Sequence, residues 1–119
     1  MQGPGDWYED AATRWLCAQG WQVVQRNFHC KLGEIDIIAL DGEYLVFVEV
    51  RARSNPRFSS AAASVDRRKQ RKLLRAARVF LQRNAQWRAR PCRFDVLAFN
   101  PRQSMPEPAP QWIRSAFSA

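Results

Sequence analysis

The stretch that decides the fold is Gly33–Arg53, GEIDIIALDGEYLVFVEVRAR. It reads as two strands, Glu34–Leu40 and Glu43–Arg51, rich in Ile, Val and Phe, around Asp41-Gly42, a strong short-range hairpin signal. Three carboxylates, Glu34, Asp36 and Glu49, interrupt these apolar runs. A carboxylate in a buried strand is costly unless it is paired, protonated or bound to a metal. A two-residue turn at Asp41-Gly42 sets Leu40 opposite Glu43, Asp36 opposite Phe47 and Glu34 opposite Glu49. Side chains alternate along a strand, so Glu34, Asp36, Glu49 and Arg51 share one face. On it Asp36 and Glu49 are diagonal neighbours, roughly 7 Å apart at the backbone. The other face (Ile35, Ile37, Ala39, Val46, Val48, Val50) is wholly apolar. Ile38, Leu45 and Phe47 add apolar surface to the first, so both faces are expected to be covered.

Two explanations fit the clustered acids. A hard cation would relieve their mutual repulsion, and Mg²⁺ prefers one or two carboxylates plus water and phosphate oxygens. Alternatively, Arg51 and Arg53 neutralise the acids at a strand end.

Working outward, Asp6–Gln19 reads as a helix with Asp6 as N-cap and Gly20 just past its end. Trp7, Tyr8, Ala11, Ala12, Trp15, Leu16 and Ala18 make its apolar half, and Glu9 stands at the edge of that half. Trp21–Arg26 is a short strand candidate, followed by a loop with Asn27 and Gly33. Beyond the hairpin, SNPRFSSAAAS (54–64) reads as a loop, and Ser64 could cap a helix running to about Asn84. Leu73, Leu74, Ala76, Ala77, Phe80 and Leu81 form its apolar side. Arg67, Arg68, Arg71, Lys72, Arg75, Arg78 and Arg83 form the other, while Asp66 and Gln70 break the pattern by falling on the apolar side. Arg93–Phe99 is a further strand, 100–110 a Pro-rich loop, and Gln111–Ala116 a final edge strand. The order α-β-β-β-α-β indicates a mixed sheet with helices rather than a barrel.

With 119 residues, the chain is expected to form one domain, 1–119, with 1–5 as a disordered tail. No apolar run is long enough to span a membrane and the N-terminus lacks an apolar signal region, so a cytoplasmic location is expected. Cys17, Cys30 and Cys92 have no paired spacing, which argues against a disulfide framework and against zinc. The net charge is +8, unevenly spread. Between Arg51 and Arg93 there are 14 Lys or Arg against a single acid, Asp66. Such asymmetry favours a polyanion partner. Arg outnumbers Lys 16 to 3, and Arg suits bidentate phosphate contacts, although a GC-rich genome also inflates Arg.

The residues Asp36 and Glu49-Val50-Arg51 resemble the active-site signature of the PD-(D/E)xK nuclease superfamily, whose αβββαβ core the element order also matches. More closely, RNFHCKLGEIDIIALDGEYLVFVEVRARS (26–54), AAASVDRRKQRKLLRAARVFL (61–81), CRFDVLAF (92–99) and WIRSAF (112–117) resemble the bacterial YraN-like family, an endonuclease-like group akin to archaeal Holliday junction resolvases. With the first helix they cover nearly the whole chain. The resemblance implies an α/β, restriction-endonuclease-like fold and a Mg²⁺- or Mn²⁺-dependent endodeoxyribonuclease acting on DNA, branched DNA included. In it Asp36 and Glu49 are metal ligands, with the Val50 carbonyl as a third. Glu9 and Gln70 match polar residues of the first and second helices that approach the site, and Glu34 is a further candidate acid. Related resolvases work as dimers, so a homodimer is consistent with the resemblance.

Arg51 departs from the superfamily, which places lysine there. An arginine cannot lose its proton in a protein, which excludes a general-base role, but it can still orient phosphate or stabilise transition-state charge. Arg53, Arg57, Arg67, Arg68, Lys69, Arg71, Lys72 and Arg75 are candidates for DNA contact, with an ordinary solvated helix face as the alternative; Phe58 could join Arg57 at a strand. Trp7, Trp15 and Trp112 are expected to pack rather than stack on bases. The competing functions are a nucleic-acid-binding module that has kept the fold without turnover, and a basic face that meets an acidic protein.

Overall fold

The structure is a computed structural model that describes residues 4–52 (side chains from Trp7 onward), 65–99 and 110–117. It is an α/β fold, a mixed five-stranded sheet with a helix on each face, consistent with a restriction-endonuclease-like core. The elements are α1 (Pro4–Ala18), β1 (Gln22–Cys30), β2 (Gly33–Asp41), β3 (Tyr44–Ala52), α2 (Arg67–Arg83), a short 3-10 turn at Ala85–Trp87, β4 (Cys92–Phe99) and β5 (Gln111–Phe117). The strands lie in sequence order. Only β3 and β4 are parallel, and α2 supplies the crossover that a parallel pair requires. Among the described residues no helix is long and apolar enough to cross a membrane.

α1 begins at Pro4, so Asp6 lies within the helix instead of capping it, and residues 4–5 are helical rather than part of a tail. Its end closes as expected. Gly20 has φ +89°, its N–H donates to the Cys17 carbonyl at 3.0 Å, and Trp21 N–H donates to Leu16 at 3.1 Å. These are the two bonds of a Schellman motif, and Leu16 and Trp21 supply its apolar contact. Ala18, placed on the apolar half by its angle, is exposed because it sits past the last turn that touches the sheet. α2 is capped by Asp66, whose carboxylate accepts from Lys69 N–H at 2.8 Å. That explains its place among apolar positions. Ser64, the expected cap, lies outside the described residues.

β1 runs four residues further than its sequence suggested. Asn27 does not end it: the residue takes φ +54°, a conformation Asn tolerates, and the strand continues to a two-residue turn at Lys31-Leu32. The β2–β3 turn is Gly42-Glu43, one residue beyond Asp41-Gly42. Of these two residues only Gly42 has positive φ, +58°, the pattern of a type II′ hairpin. The slip moves the pairing by two residues, so Ile38 faces Phe47 and Leu40 faces Leu45. A two-residue shift preserves which side chains share a face.

β3 and β4 are buried along almost their whole length. α2 sets Leu73, Ala76, Ala77 and Phe80 against Ile38, Leu45 and Phe47. α1 sets Ala11, Ala12 and Leu16 against Ile37, Ala39, Val46 and Val48. Trp15 and Trp21 both pack edge-on against Trp112 at 5.7 Å, as packing residues should.

A fourth strand carboxylate, Asp95, was not singled out by the sequence and is 1% exposed. It accepts from Arg93 Nε at 3.0 Å, from Trp112 Nε1 at 2.9 Å and from Ser115 N–H at 2.9 Å. Arg93 also donates to Asp41 at 2.8 Å and lies between the rings of Trp21 and Tyr44. Arg93 therefore does not belong to the basic surface, although it closes the charged segment of the sequence. This network ties β5 and the hairpin end of β2 to β4. Removing one member strands a buried charge, so Asp95→Ala should destabilise the fold by about 3–5 kcal/mol in urea unfolding. A loss below about 1 kcal/mol would show that the network behaves like a surface ion pair.

Candidate active site

The β2–β3 ladder runs from Asp41–Tyr44 to Ile37–Val48 and stops there. One step further, where the ladder has ended, come Asp36 and Glu49, close enough that the charge of Asp36 raises the Glu49 pKa. The stop has a local cause. Ile37 packs beneath α1, but Ile35, two residues away, packs beneath α2. Strict alternation would have put both on one face, so the strand's pattern is broken at Asp36. There the Asp36 carboxylate, not a strand carbonyl, accepts the Val50 N–H at 2.9 Å. That bond fixes Oδ2. It also commits the backbone of the candidate third ligand, Val50.

Glu49 is 5% exposed. Its Oε1 lies 3.5 Å from Lys69 Nζ and 3.6 Å from Arg51 Nη1. Burial raises its pKa first and the charge of Asp36 raises it further; Lys69 and Arg51 oppose them, leaving it at about 7. Asp36 is also raised, mainly by burial, against the Val50 N–H and Lys69. Two carboxylates whose pKa values burial raises therefore stand together just past the end of the ladder, with Lys69 and Arg51 beside Glu49.

Asp36 and Val50 line a cleft of about 220 Å³ together with Tyr8, Glu9, Asn27, Glu34 and Ala52. Glu9 is buried and its Oε1 meets Arg26 Nε at 3.3 Å, so α1 brings an acid to this cleft. Glu34 is different from the buried acid that strand alternation implied. Its side chain is exposed and pairs with His29 at 3.1 Å, because beyond Asp36 the hairpin opens to solvent. Gln70 turns its amide to the Val65 carbonyl at 3.0 Å and lines neither this cleft nor the neighbouring one.

Of the candidate DNA contacts, Arg67, Arg68, Arg71, Lys72 and Arg75 are exposed on α2. Arg53 and Arg57, with Phe58, lie outside the described residues. Lys69 departs from this set, being half-buried and directed at Glu49. The signal was present in the sequence: Lys69, Leu73, Ala76 and Phe80 are spaced i, i+4, i+7, i+11, one stripe of the helix. A lysine on an apolar stripe calls for an acidic partner inside.

Among the described residues no group of three or more His, Cys, Asp or Glu side chains gathers as a metal site. The oxygen donors that the resemblance names are the Asp36 and Glu49 carboxylates and the Val50 carbonyl. Such a set suits Mg²⁺ or Mn²⁺, which keep water and substrate oxygens in the remaining positions, and not zinc.

The raised Glu49 pKa predicts a pH dependence of stability. The folded chain keeps this proton up to about pH 7, whereas the unfolded chain releases it near 4.5. Its contribution is therefore full below pH 4.5 and is lost as pH rises through 7. In EDTA, Glu49→Gln should match the parent chain below pH 4.5 and exceed its stability by roughly 1–3 kcal/mol above pH 7. Equal stability at every pH would contradict the desolvated carboxylate.

The model of a family described as "Uncharacterised protein family UPF0102" matches residues 8–99, which hold most of α1, all of α2, the first four strands and every candidate named above. A UPF0102 protein of Alcanivorax borkumensis is 51% identical over 109 residues, covering 92% of this chain and 86% of the relative. One from Hahella chejuensis is 46% identical over 110 residues, covering 92% and 86%. One from Pseudomonas putida is 45% identical over 109 residues, covering 92% and 88%. The chain thus belongs to the UPF0102 family, the YraN-like group that its strand motifs resemble.

Proposed function

We propose that this chain is a divalent-metal-dependent endodeoxyribonuclease that hydrolyses phosphodiester bonds, with branched or otherwise structured DNA as its substrate class. The observation that carries the reading is the Asp36–Glu49 pair, both desolvated and electrostatically coupled just past the end of the β2–β3 ladder, with Lys69 and Arg51 beside Glu49. Asp36, Glu49 and the Val50 carbonyl would hold Mg²⁺ or Mn²⁺, which polarises a phosphoryl oxygen and lowers the pKa of a bound water.

The chain's own residues supply the rest. Val50 N–H fixes the Asp36 carboxylate so that it need not reorganise during reaction. Lys69 supplies the compact ammonium that Arg51 does not: it can donate to the attacking water or to a non-bridging oxygen. Arg51 adds a fixed positive charge for the developing negative charge on phosphorus oxygens. Glu9 lines the cleft and can accept a hydrogen bond from the water. Arg67, Arg68, Arg71 and Arg75, exposed on α2, would track the DNA backbone.

The second reading, a DNA-binding module without turnover, is favoured by Arg51 and by the two cations that already neutralise Glu49. End-labelled linear duplex, single strand, flap and four-way junction, incubated with purified protein and Mg²⁺ or Mn²⁺, separate the two. Cleavage that stops in EDTA and falls roughly 100-fold or more in Asp36→Asn and Glu49→Gln supports the nuclease. Lys69→Gln should then lower the rate by at least about tenfold and leave DNA affinity within about threefold. Tight binding with no cutting of any substrate would establish the module.

A further inference from the structure

The chain contains 16 arginines and only three lysines, and all three lysines line one cleft. This cleft, of about 390 Å³, lies between the β1–β2 turn and α2 and is distinct from the one at Asp36. Lys31 comes from the turn, Lys69 and Lys72 from successive turns of α2. A composition that otherwise favours arginine has retained the smaller cation at three positions separated in sequence and joined in space. Lysine presents a point charge on a flexible stem, suited to a tetrahedral anion approached from several sides.

Two further observations give the cleft a direction. None of the ion pairs among the described residues uses Lys31 or Lys72, so their charge faces the cleft uncompensated. Lys69 belongs both to the cleft and to Glu49, at 3.5 Å, so the cleft adjoins the carboxylate pair. The one carboxylate in its lining, Glu34, is exposed and turns to His29 Nδ1 at 3.1 Å. The walls are held close by Gly33. A Cβ at that position would stand 3.0 Å from the Lys72 carbonyl oxygen, tighter than side chains normally tolerate, so any other residue would push the turn away from α2.

We infer that this cleft is a phosphate subsite, in which Lys31 and Lys72 grip a backbone phosphate of the DNA strand next to the one presented to Asp36 and Glu49. The inference rests on the nuclease reading, and adds to it a fixed direction for the strand, from the carboxylate pair across Lys69 to the β1–β2 turn.

Lysine acetylation tests this directly, since three lysines and the N-terminus are the only amines. Metal-free protein is treated with a limiting acetylating reagent, free, with a 16-nucleotide DNA whose binding is followed by anisotropy, and with inorganic phosphate at equal phosphate concentration. The expected result is at least about fivefold slower acetylation of Lys31 and Lys72 with DNA and little change with inorganic phosphate. Lys31→Gln should weaken DNA binding by about fivefold or more and lower the salt slope by about one. Arg78→Gln, which removes a charge outside the cleft, should change affinity less than about twofold. Gly33→Ala, which keeps every charge but parts the walls, should weaken binding in a variant whose thermal melt stays cooperative. DNA bound with Lys31 and Lys72 reacting as in the free protein would overturn the subsite and leave the nuclease reading standing. Equal protection by inorganic phosphate would overturn it in favour of a small-anion site. Absence of DNA binding would overturn both.

Discussion

Burying Glu49 costs free energy that no apolar neighbour returns, and the structure around it is organised to offset that cost. Lys69 reaches it from α2 and Arg51 from the same strand, while Val50 N–H restrains the neighbouring Asp36. Each compensation is partial, because distances of 3.5 and 3.6 Å are looser than a good charge-assisted hydrogen bond. The result is a carboxylate whose proton leaves near neutrality. Its charge is only partly compensated by the groups around it.

The adjacent strand β4, where Asp95 pairs with Val48, shows how the same fold treats a buried acid whose role is structural. Asp95 has partners for both oxygens at 2.9–3.0 Å, and Arg93 is clamped between two rings. The comparison separates two uses of buried charge within one sheet. Around Asp95 both carboxylate oxygens are bonded and the network joins strands, although Arg93 Nη1 is buried without a hydrogen-bond partner. At the β2–β3 end it is open and faces clefts on both sides.

Much of the site was legible before the fold. The turn lies one position beyond Asp41-Gly42, which moves the pairing by two and keeps Ile38, Leu45 and Phe47 on one face, whereas Asp36 lines a cleft with Val50 and with Tyr8 and Glu9 of α1. Glu34 was misread, since alternation could not foresee that the strand's pattern breaks at Asp36. Lys69 was assigned to the basic surface although its spacing from Leu73 and Ala76 placed it inside. Charge was allowed to outweigh periodicity there, and periodicity was the better guide.

The sequence by itself determined the elements, the two-sided burial of β2 and β3, the amphipathic split of α2 and the family to which the chain belongs. These are set by side-chain patterns of period 2 and 3.6, which are local properties of the chain. The tertiary structure alone decided which charges are compensated: that Lys69 meets Glu49, that Arg93 is buried beside Asp95, and that Lys31 stands across a cleft from Lys72. Those outcomes depend on how α2 crosses the sheet and on how closely Gly33 lets the turn approach it. The energy of an ion depends on its surroundings in three dimensions, and no local pattern encodes the distance between groups forty residues apart.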